Sequence, residues 1–210
     1  MGNTMTFKTE QEAFWAGNFG TEYIKRNQGG DLLASNLNFF IKALRVTKNI
    51  KNAIEFGANI GMNLQALRLL YPSTNLHAIE INVDAAHELE QVIPIDNIYQ
   101  SSILDWIPIR TWDLALIKGV LIHINPDELN QVYDKLVAAT SRYLMVAEYY
   151  NPVPVAIPYR GHADRLFKRD FAGEIMERHP EMKLLDYGFA YRLDPDFPQD
   201  DITWFLMEKR

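Results

Sequence analysis

The segment Ala53-Ile54-Glu55-Phe56-Gly57-Ala58-Asn59-Ile60-Gly61 has the residue types and spacing to do chemistry. A short apolar run ends in a turn holding Gly57 and Gly61, then passes into a helical pattern. Glycine in such a turn lets backbone approach a ligand closely, and the N-terminus of the next helix favours negative charge. Twenty-three residues after Gly57, at the end of the next apolar run, stands Glu80. A carboxylate there can accept hydrogen bonds from both hydroxyls of a ribose. Either Glu55 or Glu80 alone would read as an ordinary strand-end acid. Placed together around a glycine turn, they point to an adenosine-type ligand at the carboxyl ends of neighbouring strands.

Glycine spacing narrows the ligand. Counted from Gly57, the dinucleotide fingerprint G-x-G-x-x-G requires glycine at positions held by Asn59 and Met62. The pattern is instead E-x-G-x-G-x-G with Asn59 in the middle place, and Asn reaches unusual backbone angles more readily than most residues. His123 follows a later strand. As an imidazole partly neutral near pH 7 it can act as a general base, line a pocket or bond a backbone carbonyl. Arg26, Arg160 and His162 are candidates for contact with an acidic substrate, the guanidinium matching carboxylate or phosphate in a bidentate way. Tyr149 and Tyr150 close a strand where ligands bind in open parallel sheets. His77 and His87 with nearby acids do not make a metal set, so no metal is expected.

These residues must be positioned by a globular chain. Of 210 residues, 48% are hydrophobic and 23% charged. That is too apolar for disorder and enough for one sizeable core. The absence of cysteine excludes disulfides, thiolate metal sites and a cysteine nucleophile, and fits a reducing compartment. A net charge of -6 argues against a protein that coats nucleic acid. No membrane span and no secretory signal are visible, so the expectation is a cytoplasmic protein with a small-molecule substrate. The oligomeric state is not read.

From residue 53 to residue 149 the pattern alternates strand and helix. Strands are expected at 53–56, 76–81, 98–104, 113–118 and 143–149, and helices at 61–71, 83–92 and 126–140. This is the signature of a parallel sheet with helices on both faces. Asn82 and Asn125 are placed to cap helices, and Glu128 stands where a capping-box partner would. Before this block lie two helical stretches, 9–27 and 36–47. After it, three prolines within residues 152–158 predict an ordered loop or lid. A helix near 169–178 and two strands, 184–193 and 202–207, finish the chain as an antiparallel edge hairpin. The expected division is a helical cap over 1–48 and an α/β domain over 49–210, in one compact domain.

The acid-and-glycine turn, the acid after the second strand and this order of elements resemble the class I S-adenosylmethionine-dependent methyltransferases. The resemblance implies a Rossmann-like α/β fold with seven mostly parallel strands, the last antiparallel, and S-adenosyl-L-methionine as cofactor. It implies Glu55 near the methionyl amino end, backbone at Gly57, Ala58 and Asn59 curving round the cofactor, Gly61 in the same turn, Glu80 on the ribose and Ile81 on the adenine. Ser101-Ser102-Ile103 stands where the family has Gly-Asp-Ala. Ser102 replaces an aspartate that meets the adenine amino group. Lys118-Gly119-Val120-Leu121-Ile122-His123-Ile124 is similar to the fourth motif of many small-molecule methyltransferases. A narrower resemblance rests on Phe14–Gly20, Tyr23–Asn27, Glu148–Pro152 and Tyr159–Gly161. These segments look like the pseudaminic-acid biosynthesis-associated methylases, which implies an anionic sugar or sugar nucleotide as acceptor.

Methyl transfer from a sulfonium releases a neutral thioether, so the protein mainly has to hold the reacting atoms together and exclude water. His123 and Tyr149 are the catalytic candidates. Two rivals share the strand, turn and acid: a nicotinamide-dependent oxidoreductase, which needs the glycine missing at Met62, and a non-catalytic nucleotide-binding adapter.

Overall fold

The computed structural model describes residues 7–25, 29–161 and 165–210. In chain order the strands are β1 (Asn52–Phe56), β2 (Asn75–Glu80), β3 (Ile98–Gln100), β4 (Trp112–Lys118), β5 (Thr140–Glu148), β6 (Val155–Ala156), β7 (Phe167–Lys168), β8 (Met182–Ala190) and β9 (Ile202–Lys209). Seven form one sheet in the order β3-β2-β1-β4-β5-β9-β8, and β6 pairs with β7 in a separate short ribbon. Strands β1 to β5 run parallel, while β9 inserts antiparallel between β5 and β8. This is the Rossmann-like α/β architecture expected from the strand–helix alternation.

The helices are α1 (Glu10–Ala16), α2 (Asn18–Ile24), α3 (Gly30–Ala43), α4 (Met62–Leu70), α5 (Val83–Leu89), α6 (Leu129–Ala139) and α7 (Phe171–Arg178). Strand β4 shows how they cover the sheet. Leu114 and Leu116 join a core with Phe40 of α3, Leu64 of α4 and Leu89 of α5. Ala115 and Ile117, alternating with them, join a second core with Val132 of α6 and Ile175 of α7. Burial on both faces explains why the central strands read as unbroken apolar runs.

Several element ends differ from expectation for local reasons. The stretch 9–27 divides at Gly17, which is extended and caps one helix while opening the next. Helix α3 begins at Gly30 rather than at residue 36. Strand β3 stops at Gln100 because the chain then curls, the N–H groups of Asp105 and Trp106 both donating to the Ser102 carbonyl. Asn82 caps α5 as expected, accepting from the Ala85 N–H. Asn125 accepts from the Asp127 N–H and opens a 3₁₀ turn, Pro126–Glu128, before α6; Glu128 completes no capping box. Among the described residues no helix is long and apolar enough to cross a membrane.

Candidate functional site

The sheet grows from β1 toward β2 and β3 on one side and toward β4 and β5 on the other. Loops leaving the carboxyl ends of β1 and β4 therefore diverge and leave a crevice. A cavity of about 530 Å³ opens there, within the size range of small-molecule sites. Its floor is backbone from the loops after β1, β2, β3 and β4; its roof carries Thr9, Glu12, Trp15 and Tyr23 of the α1–α2 segment.

Gly57 makes the floor possible. Its φ is 74°, and a Cβ there would lie 2.7 Å from Val120 Cγ2, closing the gap between the two loops. Asn59, also at positive φ (49°), turns its Oδ1 back to accept from the Ile60 N–H at 2.7 Å. Ala58 and Asn59 line the cavity, whereas Gly61 does not. At φ 81° it opens α4 beside α5, where a Cβ would meet Leu89 Cδ2 at 2.8 Å, so its glycine serves packing behind the wall.

Glu80 lines the cavity and ties two loops together. One carboxylate oxygen accepts from the Asn59 N–H at 2.7 Å and the other from the Asn82 N–H at 2.8 Å. The carboxylate, which the Ile81 N–H also approaches, keeps lone-pair capacity for a ligand hydroxyl. Burial pushes its pKa up while the backbone N–H groups oppose that rise. Glu148 plays the matching part beneath the loop after β4. One of its oxygens accepts from the N–H groups of Val120 and Leu121, both at 2.9 Å, and burial pushes its pKa up to about 7.

At one end of the cavity, Asn63 stands on the wall with Glu55 behind it. Asn63 Nδ2 donates to Glu55 Oε1 at 2.6 Å. Glu55 Oε2 and Asn63 Oδ1 are buried and have no hydrogen-bond partner among the described residues. Burial pushes the Glu55 pKa up to about 8, against the Asn63 bond and the Lys118 charge. Lys118 lines the same end, its ammonium 5.5 Å from the Phe39 ring, with burial lowering its pKa. The unpaired carboxyl oxygen of Glu55 and the unpaired amide oxygen of Asn63, packed just behind the wall, are acceptors for an ammonium group once Glu55 is ionised.

At the other end Ile81 and Ile103 supply apolar wall. Ser102 is also here, but its hydroxyl donates to the Glu12 carboxylate and accepts from the Leu104 N–H at 2.9 Å. The Ser102 proton thus belongs to a roof residue. Under the roof, His123 lies 4.7 Å from the Trp15 ring and 5.2 Å from Tyr159. Its Nδ1 donates to the Arg165 carbonyl at 2.6 Å, leaving Nε2 as the acceptor nitrogen. Burial pulls its pKa down to about 4.

The remaining expected residues sit differently. Tyr149 is off the cavity wall, and burial plus its hydrogen bond to Asp200 push its pKa far up. Its hydrogen-bond partner Asp200 does line the cavity. Tyr150 is exposed, its ring 5.9 Å from Phe205, and does not reach the cavity. Arg160 does not line the cavity; its guanidinium lies over the rings of Phe19 and Tyr159, and Tyr159 packs against His123 at the cavity's edge. Arg26 and His162 lie outside the described residues. Glu12, Asn63, Arg192 and Asp200 line the cavity and were not anticipated. Of these only Asn63, placed just inside the helix after the glycine turn, carried a local signal. Among the described residues no group of three or more His, Asp or Glu side chains could hold a metal.

No protein-family model and no curated protein sequence matches the chain. Solved structures do match. Mitomycin 7-O-methyltransferase superposes with a TM-score of 0.65 at 13% identity, over 96% of this chain and 61% of that one. Magnesium protoporphyrin IX methyltransferase from Synechocystis PCC 6803, with bound S-adenosylmethionine, gives 0.67 at 10% identity, over 98% of this chain and 100% of that one. Coclaurine N-methyltransferase, bound to N-methylheliamine and S-adenosylhomocysteine, gives 0.67 at 10%, over 90% and 81%. This chain shares their fold. It spans only about three-fifths of the length of the mitomycin enzyme. A fold found in both O- and N-methyltransferases does not choose an acceptor atom.

Proposed function

We propose that the protein is an S-adenosylmethionine-dependent methyltransferase acting on a small molecule. The observation that carries this reading is the pairing, in one cavity, of an ammonium-ready end with a hydroxyl-ready carboxylate. Glu55 Oε2 and Asn63 Oδ1 stand without partners among the described residues, while Glu80 lines the floor beyond the gap that Gly57 keeps open. An amino-acid-bearing nucleoside has those two groups, so the residues present fit it. Glu55, Asn63 and the Gly57–Asn59 backbone would hold its aminoacyl part; Glu80, Ile81, Ile103 and the Ser102 corner would hold its nucleoside. A dinucleotide fits less well, because Met62 lines the wall where the dinucleotide motif has its third glycine.

When bound, S-adenosylmethionine supplies an electrophilic methyl group on sulfur. The chain supplies position and dryness. Trp15 and Tyr23 roof the cavity against water, and the 120s loop, held by Glu148, presents His123. With Nδ1 tied to the Arg165 carbonyl, His123 Nε2 accepts the hydrogen bond of an acceptor hydroxyl and receives its proton as the methyl group is taken. The acceptor we assign is an anionic sugar or sugar nucleotide of the nonulosonic-acid type, in a cytoplasmic reaction. Arg192 on the wall and Arg160 on the rim are the cations for its negative group.

Calorimetric titration with S-adenosylhomocysteine and with NADH tests the cofactor. Saturable binding of the first, none of the second, and loss of binding in Glu80→Ala are expected. Binding of NADH in preference would replace the methyltransferase by an oxidoreductase. Binding of S-adenosylhomocysteine without methyl transfer to any of a panel of acidic sugars and sugar nucleotides would favour an adapter.

A further inference from the structure

We propose that Arg165 is a positioning residue, coupling closure of the roof to the proton-accepting form of His123. This rests on the methyltransferase reading above, with His123 as the base of the transfer.

Arg165 touches both parties. Its backbone carbonyl accepts from His123 Nδ1 at 2.6 Å. Its guanidinium donates to Glu10 Oε2 at 2.9 Å and lies 5.9 Å from the Phe14 ring. Glu10 and Phe14 belong to α1, as does Trp15, which lines the cavity and packs against His123. The Arg165 side chain is nearly buried, whereas Glu10 is exposed, so the pair opens from the roof side. Strand pairing does not fix the Arg165 carbonyl. The β6–β7 ribbon pairs Val155 with Lys168 and Ala156 with Phe167, and the Leu166 carbonyl accepts from the Ile157 N–H at 2.8 Å. Arg165 lies one residue beyond the last of these bonds. Its peptide is oriented by the hold of its side chain on α1.

The consequence is chemical. Burial keeps the His123 ring neutral at pH 7, so it carries one proton, on one nitrogen or the other. The bond made by the ring decides which. The rings of Trp15 and Tyr159, 4.7 and 5.2 Å away, do not tell the two nitrogens apart. A carbonyl does, because it has only lone pairs and needs an N–H facing it. With the Arg165 carbonyl in place, the proton sits on Nδ1 and Nε2 keeps a free lone pair for the proton of an acceptor hydroxyl. When α1 lifts, Glu10 releases the guanidinium and the carbonyl loses its orientation. The neutral ring then passes to the Nε2–H form, whose Nε2 has no lone pair to offer. The base is therefore competent only under a closed roof, when water is excluded from the methyl donor.

The experiment is nitrogen-15 NMR of the histidine rings at pH 7 in ligand-free wild type, Arg165→Met, Glu10→Ala and Lys8→Met. His123→Gln identifies the His123 signals among the five histidines. Arg165→Met keeps the carbonyl and most of the side chain's length but loses the guanidinium. Glu10→Ala, at an exposed position outside the Thr9–Glu12 capping box, cuts the same pair from the roof. Lys8→Met cuts a different roof fastening, to Asp105. The wild type is expected to show the Nδ1–H form. In Arg165→Met and Glu10→Ala the ratio of Nδ1–H to Nε2–H should fall about tenfold, the equilibrium worth of one hydrogen bond. Lys8→Met should keep the wild-type ratio. An unchanged ratio in Glu10→Ala, folded by its circular dichroism melt, overturns the coupling. So does an Nε2–H ring in the wild type, or an equal shift in Lys8→Met, which would spread the effect over the whole roof. Calorimetry of the wild type with S-adenosylhomocysteine runs beside it. Absence of binding there means that the methyltransferase reading has failed, an outcome separate from an Arg165 failure, in which the ligand binds and the variants leave the ring unchanged.

Discussion

The floor and the roof of the cavity are built by different physics. The floor is backbone held by buried carboxylates: Glu80 takes N–H groups from the loops after β1 and β2, and Glu148 takes them from the loop after β4. The roof is held by side chains reaching across the chain. Thr21 donates to Asp84 at 2.7 Å, Arg165 pairs with Glu10 at 2.9 Å and Lys8 with Asp105 at 2.7 Å. The Lys8–Asp105 pair, exposed on both sides, contributes little. The floor therefore opens only with the core, while the roof opens locally at small cost. Asn82 joins the two, donating its N–H to Glu80 and its amide protons to the roof.

Removing the floor's keystone should have the largest effect. Glu80→Ala deletes two charge-assisted bonds. It leaves two N–H groups of the crevice loops unpaired, a loss of about 3 kcal/mol. Thermal melts should show it, and S-adenosylhomocysteine affinity should fall by about 100-fold or more. A variant that binds normally would mean the floor is not held as described.

Cutting the joint comes next. Asn82→Ala removes the cap on α5 and the amide bonds to Trp15, Ala16 and Gly17. The expected loss of stability is about 1.5 kcal/mol. Hydrogen exchange should speed up across residues 10–24 and not in β1 and β4. Equal acceleration in both would erase the distinction between floor and roof.

The floor's charges should appear in its pH dependence. Burial raises Glu55 and Glu148 from an ordinary 4.5 to about 8 and about 7. Folding favours their protonated forms, so this contribution is full below about pH 4.5 and is lost as pH rises through the folded values. His123 and His77, both pulled down from 6.5 to about 4, act oppositely, losing stability as pH falls below 6.5. Ligand-free protein should thus lose melting temperature between pH 6.5 and 8, with about 1.5 kcal/mol of that loss due to Glu55. Glu55→Gln should flatten the slope. Affinity for S-adenosylhomocysteine should rise over the same interval in the wild type, because an ammonium needs the ionised carboxylate, and should stay level in Glu55→Gln.

The same contrast decides what was legible in the sequence. Strand, glycine turn, helix and the acid after the next strand are local patterns, and they located the floor to the residue at Gly57, Asn59 and Glu80. The parallel sheet with its antiparallel last strand followed from the order of elements. The roof was visible only as an aromatic helical stretch. Its fastening joins residues far apart in sequence, Glu10 with Arg165 and Glu12 with Ser102, and no spacing announces such pairs. Gly61 misled because a glycine demanded by φ and by Leu89 looks, in sequence, like one demanded by a ligand. Ser102 misled more usefully. That a serine stands where the resemblance implies an aspartate was legible, while the carboxylate that reaches its hydroxyl arrives from 90 residues away.

The rim offers the smallest effect and the finest distinction. Arg160 sits over Phe19 and Tyr159, 5.7 and 5.4 Å from their centroids, so its side chain is held by the roof and not by the floor. An exposed cation–π contact contributes about 0.5–1 kcal/mol, which limits the stability loss in Arg160→Ala to that amount. If its guanidinium also meets the acceptor's negative group, the variant should raise KM for an anionic acceptor by about three- to tenfold at unchanged kcat, the pattern of uniform binding lost. Arg192→Ala, altering the wall rather than the rim, should raise the same KM by at least as much, since Arg192 lines the cavity itself. Both variants should bind S-adenosylhomocysteine as the wild type does. Loss of cofactor affinity in Arg160→Ala would instead make the rim part of the roof's hold on the nucleoside, and the acceptor's charge would then have to be met by Arg192.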